Sequence, residues 1–108
     1  MGYREYAKDY ERMVRFLKKE FEGTPIFLLL TTHVANEERD AIVCARNRVV
    51  CELAEKYGLS TIDLYTVTKE HGEYLVNDGV HFSSEGYQLL ANVIIGHVRQ
   101  IIDQKGAI

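Results

Sequence analysis

Ile26-Phe27-Leu28-Leu29-Leu30-Thr31-Thr32 follows the chain's only proline, Pro25, and runs into a polar loop. Its hydrophobicity is continuous rather than alternating. A strand with water on one face alternates apolar and polar residues, whereas a strand covered on both faces does not. The segment therefore reads as an inner strand of a parallel sheet. It is far too short to cross a bilayer, which takes about 20 residues as a helix.

Helical patterns flank this strand. Upstream, residues 3 to 22 place Tyr10, Met13, Val14, Leu17 and Phe21 on one stripe, and Gly23 and Pro25 end the helix. Downstream, residues 37 to 57 carry a stripe of Ile42, Ala45, Val49, Leu53 and Tyr57, widened by Val50 and Ala54. Glu37 and Glu38 suit its first turn, and Gly58 suits its C-terminal cap. Ser60 to Tyr65 reads as a second strand, and 66 to 82 as a polar loop longer than the usual 12–15-residue limit of about that size in compact domains. Residues 84 to 102 form the last helix, capped by Ser83 or Ser84, with Leu90, Val93, Ile94, Val98 and Ile101 inward.

The order helix, strand, helix, strand, loop, helix defines an α/β fold with right-handed crossovers. The expected architecture is a partial flavodoxin-like three-layer sandwich, residues 1 to 108 forming a single domain. Two parallel strands make a narrow sheet, and the inner strand has only one obvious neighbour. Its other edge would present unpaired N–H and C=O groups. The fold is therefore expected to be completed by N-terminal strands missing from this sequence or by another chain, a second copy included.

Composition narrows the function classes. A net charge of -3 without a basic stripe argues against a nucleic-acid partner. No segment is apolar enough for a membrane span. Met1 to Tyr10 carries four charged residues and no apolar signal core, so a cytoplasmic location is expected. Cys44 and Cys51 lie two helical turns apart, roughly 10 Å, too far to bridge each other, and are expected to be free, buried thiols.

The stretch that carries chemistry is Asn77-Asp78-Gly79-Val80-His81-Phe82-Ser83-Ser84-Glu85-Gly86-Tyr87. It ends the long loop and opens the last helix. An Asp three residues before a His can hold Nδ1 while Nε2 faces a substrate, the arrangement a serine hydrolase needs in its base. Gly79 permits the tight turn between them.

This block resembles the last motif of the SGNH (GDSL-type) hydrolases, an Asp-x-x-His followed by a helix. The preceding order of elements is similar to that family's C-terminal half, including the strand ending in Thr31-Thr32, the helix ending Ala54-Glu55-Lys56-Tyr57-Gly58, and Ile62-Asp63-Leu64. The resemblance spans roughly residues 3 to 102. It implies His81 as general base, Asp78 as its orienting carboxylate, an ester as substrate and no cofactor.

The sequence departs from the family in lacking the Gly-Asp-Ser nucleophile block and the Gly and Asn blocks that donate to the oxyanion. Its serines are Ser60, Ser83 and Ser84, and the last two suit helix capping. Loss of a nucleophile costs on the order of 10⁶ in rate, so the chain alone is expected to be inactive.

Other histidines carry weaker signals. His33 follows the first strand at its carboxyl end, where α/β sheets bind ligands, and is a candidate substrate contact as well as an ordinary loop residue. His71 reads as solvated, and His97, near the apolar stripe of the last helix, as a packed or boundary residue. His71, Asp78 and His81 have zinc-compatible side chains but no metal-site spacing, so no metal is expected. Two further functions compete with the esterase reading: a non-catalytic module that oligomerises, and a small α/β domain binding a ligand with loop 66 to 82. No phosphate loop or dinucleotide fingerprint supports the last.

Overall fold

The computed structural model describes residues 2–105. Four α-helices and two strands follow one another: α1 (Tyr3–Glu20), β1 (Phe27–Leu29), α2 (Glu37–Tyr57), β2 (Ser60–Ile62), α3 (Leu64–Glu70), a 3-10 turn (Gly72–Tyr74) and α4 (Ser84–Lys105). β1 and β2 pair in parallel, with Phe27 opposite Ser60, Leu28 opposite Thr61 and Leu29 opposite Ile62. The fold is α/β, as expected.

The pleat of β1 sends alternate residues to two helical layers. Leu28 and Leu30 join Val14 of α1 and Val50 and Ala54 of α2 in one buried cluster. Phe27 packs instead with Ile62, Leu64, Phe82 and Leu90 under α4. A polar network fastens α1 to α2 on the surface: the Tyr57 hydroxyl donates to Glu11 at 2.6 Å, Lys56 donates to the same carboxylate oxygen at 2.7 Å, and Arg15 donates to the Tyr57 hydroxyl at 3.0 Å.

The covering of β1 is unequal. Leu29 and Ile62 are register partners and share a face, yet Ile62 is fully buried and Leu29 is 46% exposed. α4 packs against β2 and leaves Leu29 of β1 largely uncovered. The expectation of a strand covered on both faces therefore fails at Leu29. Met13 and Phe21, expected inward on α1, and Ile42, expected inward on α2, are also exposed. Among the described residues β1 pairs only with β2.

The expected second strand and long loop are revised as well. β2 ends at Ile62, because the Asp63 carboxylate accepts from the Thr66 N–H at 2.9 Å and from its hydroxyl at 2.7 Å, which caps α3. The first half of the supposed loop is taken up by α3 and the 3-10 turn. Asn36 caps α2 through the Arg39 N–H, and Gly58 closes it with a left-handed residue. Neither cysteine is buried: Cys44 is half-buried and Cys51 exposed. His97, expected to be packed or at the boundary of the apolar stripe, is not packed: it is exposed on α4.

Candidate active site

Asp78 and His81 sit on a short antiparallel hairpin whose two arms meet at a bridge between Leu75 and Phe82. The Val76 N–H donates to the His81 carbonyl at 2.9 Å, and the Gly79 N–H closes the turn on the Val76 carbonyl at 2.9 Å. Phe82 is buried and anchors the hairpin to the core. The first turn of α4 approaches it closely: a Cβ on Gly86 would stand 2.9 Å from the Cβ atoms of both Phe82 and Tyr74. Ser83 Oγ accepts from the Gly86 N–H at 3.3 Å and starts the helix.

On this support the Asp78 carboxylate is held at both oxygens. One accepts the backbone N–H groups of Val80 and His81 at 2.8 and 2.9 Å, and the other meets His81 Nδ1 at 2.6 Å. An ionised carboxylate only accepts, so Nδ1 carries the proton and Nε2 the lone pair. The His81 N–H and imidazole, with the Val80 N–H, hold the Asp78 pKa down to about 2. The His81 side chain is 70% exposed. This is an oriented imidazole open to solvent. The spacing in the sequence anticipated the contact between the two side chains.

Gly79 joins this hairpin to the loop after β1. Its φ is +73°, a region that favours glycine, and an added Cβ would stand 3.0 Å from the Ala35 Cβ. The Ala35 N–H donates to the Gly79 carbonyl at 2.9 Å.

That neighbouring loop carries a second imidazole–carboxylate pair. His33 Nδ1 meets Asp40 at 2.8 Å, the Val34 N–H donates to the same oxygen at 3.1 Å, and the Tyr65 hydroxyl donates to the other at 2.6 Å. The His33 N–H donates to the Thr68 hydroxyl at 2.9 Å. Burial works against the Asp40 charge, but Tyr65, Val34 and His33 outweigh it and hold its pKa below the usual carboxylate range. The bond to Asp40, with Cys44 adding to it, pushes the Tyr65 hydroxyl well up. Two residues before His33, Thr31 is clamped through its backbone: Asn47 Oδ1 accepts its N–H at 2.8 Å, and Asn47 Nδ2 donates to its carbonyl at 3.0 Å.

Sequence reasoning singled out His33 but missed Asp40, Tyr65, Thr68 and Asn47. Asn47 did leave a signal, since it shares a helical face with the inward Val50 and Ala54 yet is polar. Asp40 is a third acid in the first turn of α2, where the helix dipole alone accounts for an acid. His71 stacks on Tyr74 with ring centroids 5.7 Å apart and contacts Glu73, so the hairpin does not gather it with Asp78 and His81. Among the described residues no three His, Cys, Asp or Glu side chains cluster as a metal site, and no helix is long and apolar enough to cross a membrane.

No protein-family model matches the sequence, and no curated protein does. Solved structures do resemble it. The esterase domain of the ZfL2-1 ORF1 protein from the zebrafish ZfL2-1 retrotransposon superposes with a TM-score of 0.82 at 19% identity, covering 93% of this chain and 61% of that one. The lipase/acylhydrolase from Enterococcus faecalis gives 0.76 at 22% identity, covering 93% and 53%. Over the span it covers, the chain thus shares the fold of that esterase domain and that lipase/acylhydrolase. That span is under two thirds of either structure.

Proposed function

We propose that the chain supplies the acid–base half of an ester-hydrolase centre, with Asp78 orienting and His81 acting as general base. The nucleophilic hydroxyl and the oxyanion donors come from polypeptide beyond these residues. In the reaction, His81 Nε2 takes the hydroxyl proton as that oxygen attacks the ester carbonyl. The imidazolium returns the proton to the departing alcohol, and water then releases the acid by the same relay.

The observation that carries this reading is the 2.6 Å contact between Asp78 and His81 Nδ1, with Nε2 free at the surface. The likeness in fold to an esterase domain and an acylhydrolase supports it. The test is hydrolysis of p-nitrophenyl acetate by the chain joined to the N-terminal part of an esterase of this fold that carries the nucleophile. Hydrolysis above that of either part alone is expected, abolished by His81→Ala. No gain on joining the parts, or one that the substitution leaves unchanged, overturns the reading.

A second reading is favoured by the unpaired edge of β1 and the exposed Leu29, Met13 and Phe16. Here the chain serves as an association module, pairing with a complementing chain or with itself. Light scattering then gives a mass of a dimer or larger. A stable monomer contradicts this second reading.

A further inference from the structure

The His33 pair repeats the logic of the His81 pair on the adjoining loop. Asp40 is an acceptor for three donors at once, so His33 Nδ1 must donate to it, and in the neutral ring Nε2 carries the lone pair. The ring cannot turn freely: its backbone N–H is tied to Thr68, its edge meets the Tyr65 ring in a T-shaped contact at 5.8 Å, and 21% of its side chain is exposed. Nε2 has no protein partner. Among the described residues no buried side-chain nitrogen or oxygen lacks a hydrogen-bond partner, so Nε2 lies open to solvent. The Ala35–Gly79 bond joins its loop directly to the turn that bears Asp78.

An acceptor fixed so firmly, with no role in holding the fold through its outer nitrogen, suits a ligand that brings a hydroxyl. The geometry points to His33 Nε2 as the acceptor for a hydroxyl beside the scissile ester, making the substrate class an ester of a polyhydroxy alcohol. This rests on the hydrolase reading of His81. Asp40 and Thr68 are positioning residues for His33. The discrimination arises because an ester lacking the hydroxyl leaves the oriented nitrogen unsatisfied. One neutral hydrogen bond contributes about a threefold to tenfold change in affinity.

The test follows both imidazoles by nitrogen-15 NMR while the labelled chain is titrated with glycerol monoacetate, and in parallel with ethyl acetate. His81 resonances are expected to respond saturably to both esters, and His33 Nε2 only to glycerol monoacetate. In His33→Gln, which keeps a polar side chain of similar size, the His81 response to glycerol monoacetate should weaken about threefold to tenfold, and that to ethyl acetate should not change. His81 responding while His33 stays silent overturns this inference alone. His33 responding while His81 stays silent overturns the ester reading and the substrate class with it. Silence at both overturns both. The wild-type titration decides between these outcomes even if the variant does not fold.

Discussion

The imidazoles of two imidazole–carboxylate pairs stand on adjoining loops, and the pairs are built in opposite ways. Asp78 and His81 are three residues apart, and their carboxylate is held by the backbone of the same turn. The pair is exposed and nearly self-contained. Asp40 and His33 are seven residues apart, on a helix and a loop, and Tyr65 from α3 completes them. This pair is largely shielded and depends on tertiary structure. An exposed pair adds little stability and keeps its imidazole available, whereas a shielded pair ties elements together and strands its partners when broken.

That contrast can be broken most forcibly at Asp40. Asp40→Ala leaves His33 Nδ1, the Val34 N–H and the Tyr65 hydroxyl without their acceptor, and is expected to cost about 2–3 kcal/mol in urea denaturation. A change near zero would show that the second pair is ornamental to the fold. Gly79→Ala tests the seam between the two loops. The left-handed backbone and the 3.0 Å approach to Ala35 together predict a loss of about 1–2 kcal/mol, with the Nδ1 proton resonance of His81 weakened.

The smallest thermal effect is expected from Asp78→Asn, which should leave the melting temperature close to that of the parent while the proton on His81 Nδ1 is lost from NMR spectra. Acid should do the same reversibly. The folded pKa of Asp78 lies below its unfolded value, so its bond is complete above about pH 4 and is lost as pH falls through about 2. Loss of the Nδ1 signal already near neutral pH would contradict the 2.6 Å contact.

How much of this was legible in the sequence follows from the same contrast. The Asp78 pair is local, so its spacing, its glycine and the helix beyond it suffice to infer it. The parallel pairing of β1 with β2 followed from one apolar run and a helix of crossover length. The Asp40 pair was illegible because no spacing rule links 33, 40, 65 and 68. These residues meet only once α2 and α3 are docked. α3 itself was misread because Ile62-Asp63-Leu64 fits a strand by hydropathy, while the deciding event is a side-chain cap on Thr66. The exposure of Leu29 was misread because an apolar run records what a strand is suited to contact, not what covers it in these 108 residues.

The Asn47 clamp on Thr31 bounds what the sheet can become. Leu30 N–H bonds the Ile62 carbonyl, so by the alternation of a ladder the backbone of Phe27 and Leu29 faces the vacant side. Thr31 is already satisfied at both its N–H and its carbonyl. A strand added alongside β1 finds docking points at Phe27 and Leu29 and meets a doorstop at Thr31, so growth of the sheet halts two residues short of His33.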